Sequence, residues 1–148
     1  MSSYDDPRWP MQAWLIYAFL SAIFAALVGI LGKIGIQNID SITATAIRAI
    51  IMAILSVIFA IGLKKTDLSG INAKSLSFIA LAGLFGAASW MAYFKALSLG
   101  EASRVIPIDR SSVLFAVVLA WLILGEKITM KTGIGVLLIL VGTILVSL

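Results

Sequence analysis

The stretch SRVIPIDRSSVLF, residues 103–115, places Asp109 and Arg110 side by side a few residues into an otherwise apolar run. A charged side chain in the centre of a hydrocarbon layer costs about 2.5–3.5 kcal/mol even on lenient insertion scales. The surroundings of the pair therefore decide the fold. They are apolar on the scale of the whole chain: of 148 residues, 61% are hydrophobic and 12% charged, against about 25% charged in soluble domains. Such a composition specifies a membrane protein, because a soluble fold of this size would leave much of that apolar surface facing water.

Working outward from Asp109, the chain divides into long intervals with few charges. Residues 105–124 carry only Asp109 and Arg110, 75–97 only Lys95, 41–63 only Arg48, and 132–148 no charge. Between Arg8 and Lys33 lie 24 uncharged residues, and about 20 apolar residues suffice for a helix to cross a bilayer. The reading is a short N-terminal segment, 1–11, followed by one all-α membrane domain, 12–148, with spans at about 12–32, 41–63, 75–97, 105–124 and 132–148. The first span is expected to be retained, since MSSYDDPRWP mixes acidic and basic residues and the apolar run exceeds a signal-peptide core. The connections GIQNID, KKTDLSGINAK, SLGEASR and GEKITMK are short and polar and leave no room for a soluble domain.

Five spans put the two ends of this domain on opposite sides of the membrane. Arg8, Lys64, Lys65, Lys74, Lys127 and Lys131 fall on the N-terminal side, and Lys33, Arg48, Lys95, Arg104 and Arg110 on the other. Counting loop residues alone, the ratio is six to two and the N-terminus is cytoplasmic; counting every charge, the bias nearly vanishes. Both a single and a dual orientation are compatible with these counts.

Cys and His are absent, which removes disulfides, thiolate and imidazole metal ligands, thiol nucleophiles and the commonest general base. No catalytic residue, metal site or cofactor is expected, and the chain reads as something other than an enzyme. Its formal charge of +4 is spread along the sequence with no basic run, so nucleic acid is not expected as a partner.

The alternating direction of the spans gathers the remaining charges at one level. Arg48 lies seven residues past Ser41 and Asp109 four past Val105, or about 10 Å and 6 Å below the same membrane face at 1.5 Å per residue. Lys33 and Lys95 approach that level from the ends of helices 1 and 3. Ser41, Thr45 and Arg48 form one polar stripe, Asp109 and Ser112 a second, and Ser89 and Tyr93, with Trp90 beside them, continue the wall from helix 3. Two readings apply to each: Arg48, Asp109, Arg110, Tyr93, Ser112, Lys95, Trp90 and Thr45 as a substrate-binding or coupling site, or a set of structural pairs. Thr and Ser often bond their own helix backbone, Tyr and Trp often mark the interface, and Lys95 has the length to snorkel. Pairing of Asp109 with Arg48 or Arg110 is expected in at least one state, since a shared polar site costs less than separate charges in lipid. Pro107 reads as a helix-start residue. Glycines are concentrated on helix 1 (Gly29, Gly32, Gly35), helix 3 (Gly83, Gly86) and helix 5, where Gly135 and Gly142 recur at seven residues as a candidate helix–helix interface.

SWMAYFKALSLGEASRVIPIDRSSVLFAVVLAWLILGEKITMKTGIGVLLILVGTILVSL resembles the second part of an EamA domain, the repeat of the drug/metabolite transporter superfamily. ILGKIGIQNIDSITATAIRAIIM resembles the junction of its first two helices. Together with the length, the chain is similar to the short, single-domain, five-span bacterial and archaeal branch. The family motif falls on Arg48, Tyr93, Ala96, Leu97, Ser103, Arg104, Pro107, Asp109, Gly125 and Glu126. One departure is visible: Arg110, Ser111 and Ser112 stand where that branch more often shows Lys-Leu-Ser, which keeps the charge and exchanges a bulky side chain for a hydroxyl. The resemblance implies a multi-pass carrier of small molecules in the inner or plasma membrane. Longer relatives fuse two such halves in opposite orientation, so a single half implies a homodimer, parallel or antiparallel. A lipid-linked substrate flippase and a non-transporting membrane assembly partner are the alternatives.

Overall fold

The computed structural model describes residues 13–148; the short segment 1–11, Arg8 and the first residue of the expected first span lie outside the described residues. All regular structure within them is helical: α1 (Ala13–Gly35), α2 (Ser41–Gly62), α3 (Ala73–Leu99), α4 (Ala102–Arg110), α5 (Ser112–Leu119), a π-helical turn (Ala120–Leu124) and α6 (Met130–Ser147). Five stretches are long and apolar enough to cross a membrane, with Ala102–Leu124 forming the fourth across the α4–α5 junction.

Polar caps fix the starts of three helices. Asp40 accepts hydrogen bonds from the backbone N–H groups of Ile42 (2.9 Å) and Thr43 (3.2 Å). Asn72 accepts from Ser75 N–H at 2.7 Å and Thr129 from Thr132 N–H at 3.1 Å. Each satisfies an N–H that the first helical turn cannot pair internally. At the far end of the fourth span, Gly125 takes a left-handed φ of 70° and returns its N–H to the Ala120 carbonyl. A side chain would be strained in that conformation.

The expected helix start at 105 is three residues late. The helix begins at Ala102, which makes Pro107 its sixth residue instead of an N-terminal one, at a position where an N–H would ordinarily be used. Pro107 has no N–H to return to the Ser103 carbonyl, and the helix is interrupted again one turn further on. Ser111 N–H folds back onto the Ile108 carbonyl at 3.0 Å, the helix breaks there, and the Pro107 carbonyl accepts the Thr143 hydroxyl of α6 at 3.3 Å instead. Thr143 is buried in this contact, so the α4–α6 seam is built around the break.

Packing is uneven along the bundle. α3 is central, touching α1, α2 and α4; α6 packs on α4 and α5. The core, Ile36, Tyr93, Phe94 and Leu97, with Ala44, Trp90, Val105 and Ile106 against it, lies where α1 and α3 end and α2 and α4 begin. Leu97 is completely buried. Elsewhere the helices carry exposed large apolar side chains, among them Phe59, Phe78, Phe85 and Leu122, a surface suited to lipid or to another membrane chain.

Lys33 tightens this packed end. Its ammonium donates to the Leu97 carbonyl at 2.6 Å and the Gly100 carbonyl at 2.7 Å, closing the C-terminus of α3 where the last carbonyls and the helix dipole favour a cation. Bonds to a charged donor contribute about 1.5–3 kcal/mol. Lys33→Met is therefore expected to lower the thermal midpoint in detergent, with Lys33→Arg closer to wild type. An unchanged midpoint for Lys33→Met would show that the contact contributes nothing.

Candidate functional site

The polar stripe on α2 and the aromatic wall on α3 meet at Arg48. Its guanidinium lies over the Trp90 ring, 3.4 Å from the centroid, and 5.8 Å from the Phe94 centroid. Trp90, Tyr93 and Phe94 pack on one another with centroids 5.5–6.0 Å apart, and the Trp90–Tyr93 pair is edge-to-face at 87°. A cation on an aromatic face gains about 0.5–1 kcal/mol when exposed and about 2 or more when desolvated. Among the described residues no carboxylate lies within 4.0 Å of Arg48.

The expected Asp109 pair with Arg48 is accordingly not formed in this structure. A depth counted along each helix does not bring the two side chains together, because the α3 aromatics intervene: Trp90 borders both the Arg48 groove and the Asp109 cavity. Asp109 is half-buried on the other side of that wall, where Ala25, Ser89, Trp90, Tyr93 and Arg110 share with it a cavity of about 140 Å³. A second, adjoining hollow of about 310 Å³ runs from Ser89 and Tyr93 along Val105 and Ile108 to Asp109. Arg110 lines the first of these hollows beside Asp109, and among the described residues the two form no ion pair within 4.0 Å.

On the Arg48 side there are two larger apolar grooves. One of about 340 Å³ lies between α1 and α2 and is closed off by Phe94. The other, about 560 Å³, lies between α2 and α3, with Thr45, Arg48, Ser56 and Trp90 among its lining. Arg48 lines both grooves, and Trp90 lines both the α2–α3 groove and the Asp109 cavity. The site is thus a belt, Arg48–Trp90–Tyr93–Asp109, that puts a cation and a carboxylate on opposite sides of an aromatic partition. Tyr93 is held in that partition by close approach of α1: its hydroxyl lies 2.7 Å from where a Cβ on Gly29 would stand.

Other expected members of the site stand differently. The Thr45 hydroxyl is buried and donates to the Ser41 carbonyl of its own helix at 2.7 Å. Lys95 and Ser112 are exposed, and the break at Ser111 interrupts the Asp109–Ser112 stripe, so both residues stand apart from the belt. Gly135 and Gly142 have nothing within 4 Å of an added Cβ, so no other part of the described chain packs over them. Sequence reasoning gives little weight to Lys33 and misses Ser56; Ser56 is findable, since it is a hydroxyl in an apolar run about two turns past Arg48 on the same helix.

The five spans fall within a family match: the model of the EamA-like transporter family matches residues 12–148. The chain belongs to the EamA-like transporter family. This EamA-like transporter is also 39% identical over 137 residues, 92% of its own length and 97% of the relative's, to an uncharacterized transporter in the cobO 3' region of Sinorhizobium sp.. No solved structure matches it. It is a multi-pass, all-helical membrane protein of a transporter family.

Proposed function

We propose that this EamA-like transporter moves a small polar or amphipathic metabolite across the inner or plasma membrane by alternating access, as a homodimer. The observation that carries the reading is the belt itself: one cation and one carboxylate within the spans, each opening on its own hollow, with Trp90 bordering both. Ionisable groups held inside membrane helices mark substrate and ion pathways. In this scheme Arg48 meets the solute, Asp109 carries the coupling charge, and the two charges, apart here, approach each other in a second state. The α2–α3 groove lies between neighbouring spans, which supports a second reading, a flippase for a lipid-linked substrate.

The test is uptake into vesicles reconstituted with the purified protein, screened against a broad panel of metabolites. At least one solute is expected to accumulate above empty vesicles in a saturable manner. A folded, correctly inserted protein that moves none of them would contradict the carrier reading.

The dimer is supported by Gly135 and Gly142, which leave a smooth, uncovered stripe on α6 of the kind that lets membrane helices approach closely. Replacing both by Leu is expected to shift the protein toward monomer in detergent, read as mass by light scattering. An unchanged dimer mass would exclude this face as the interface.

A further inference from the structure

The groove between α2 and α3 has the chemistry of a particular ligand class. Its wall is apolar along Ile42, Met52, Ala53 and Met91. Two of its polar residues have committed their hydroxyl protons to their own helix, Thr45 to the Ser41 carbonyl and Ser56 to the Met52 carbonyl, each at 2.7 Å. Arg48 is the one charged residue in the lining, and among the described residues no carboxylate neutralises it. Its Cζ lies over the Trp90 ring, 3.4 Å from the centroid, a contact that uses the cation and none of its N–H donors in a conventional hydrogen bond. Among the described residues the guanidinium has no hydrogen-bond acceptor, which leaves its planar fork of N–H donors for a carboxylate or phosphate. The volume of about 560 Å³ falls within the range of small-molecule sites.

We infer that the α2–α3 groove binds a single-chain amphipathic organic anion, its acidic head on the Arg48 guanidinium and its apolar tail along Ile42, Met52, Ala53 and Met91. The inference rests on the transport reading for the step after binding, and it names the class of substrate. Charge complementarity selects an anion over a cation. The length of apolar wall selects an amphipath over a bare inorganic ion. Trp90, against the guanidinium and itself in the groove lining, is a positioning residue that keeps the cation at the groove wall.

The experiment uses the full chain in nanodiscs of zwitterionic lipid, with Trp9, Trp14 and Trp121 replaced by Phe so that Trp90 is the only indole. Octanoate, octylammonium and inorganic phosphate are titrated while Trp90 emission is followed. Octanoate is expected to shift the emission saturably, with affinity at least tenfold above that of inorganic phosphate and no saturable response to octylammonium. Arg48→Gln should weaken octanoate at least tenfold, and Arg48→Lys, which keeps the charge but loses the planar fork, should fall between. Ala87→Leu fills the groove while leaving Arg48 in place, and it should weaken octanoate by a similar factor. That variant decides the matter if Arg48→Gln fails to fold. Equal responses to octanoate and octylammonium would reduce the effect to membrane partitioning and overturn the inference. So would unchanged octanoate affinity in folded Arg48→Gln or Ala87→Leu. An Arg48-dependent emission shift produced by anionic nanodisc lipid alone would assign the groove to a membrane lipid and also overturn it. Saturable octanoate binding without uptake in vesicles would contradict the transport reading and leave the site standing. Uptake of other solutes with no octanoate binding would do the reverse.

Discussion

Gly29→Leu is expected to produce the largest loss of stability of any single substitution considered for this protein. A Cβ at this position would stand 2.7 Å from Ile106 Cδ1 and 2.7 Å from the Tyr93 hydroxyl. The Ile106 methyl can move, but the Tyr93 ring is flanked by Trp90 and Phe94 and is buried, so relief requires α1 to retreat from α3 and α4. Over-packing by a few carbons costs about 1–3 kcal/mol in well-packed cores and sometimes more, and Leu adds three carbons beyond the Cβ. Thermal unfolding in detergent should show a large drop in midpoint for Gly29→Leu and a smaller one for Gly29→Ala. Gly35 is the control, because nothing lies within 4 Å of its added Cβ and the same Leu should be accepted there. Equal midpoints for the Leu variants at 29 and 35 would mean that α1 does not approach the aromatic wall as described.

The second large effect is functional. Asp109→Asn is expected to cut solute uptake at least tenfold while leaving the midpoint near wild type. The carboxylate forms no ion pair within 4.0 Å among the described residues, so its neutralisation leaves no buried partner uncompensated, the circumstance that makes broken pairs cost about 3–5 kcal/mol. What it does remove is the carboxylate of a cavity shared with Ser89, Tyr93 and Arg110, and with it the charge that a proton or cation would neutralise during transport. Asp109→Glu should retain part of the uptake. Full uptake by Asp109→Asn would exclude the carboxylate from coupling.

The five spans were legible because charges are unfavourable in hydrocarbon, and the long apolar intervals set off by the polar connections GIQNID, KKTDLSGINAK, SLGEASR and GEKITMK mark the membrane directly. Helix ends were legible to within a few residues; Ala102 was missed because Glu101, Ser103 and Arg104 read as loop, though Glu101 stands at the N-cap and Ser103 and Arg104 in the first turn of α4. That charged residues sit inside the spans was also legible, since Arg48 and Asp109 interrupt apolar runs long enough to cross the membrane. Their partners were not. Which neighbour stands between two helices is a property of packing order, so the Trp90 face beneath Arg48 and the partition in front of Asp109 came only with the structure. The Lys33 contacts join residues more than sixty positions apart, beyond any local pattern. At the Ser111 break, the Pro107 carbonyl takes its hydrogen bond from Thr143 of α6, again a partner that spacing cannot name.

The central claim is that the belt from Arg48 to Asp109 serves transport and is not merely the cement of the bundle. It is tested most directly by the double variant Arg48→Gln with Asp109→Asn, reconstituted in vesicles at matched amounts of folded protein and assayed for uptake of the solute found with wild type. Neither charge has an ion-pair partner within 4.0 Å among the described residues, so removing both leaves no buried partner uncompensated, and the Arg48–Trp90 contact is the interaction given up. The account predicts a thermal midpoint close to wild type together with uptake reduced to the level of empty vesicles. A folded double variant that transports as well as wild type would contradict it and reduce Arg48 and Asp109 to structural residues.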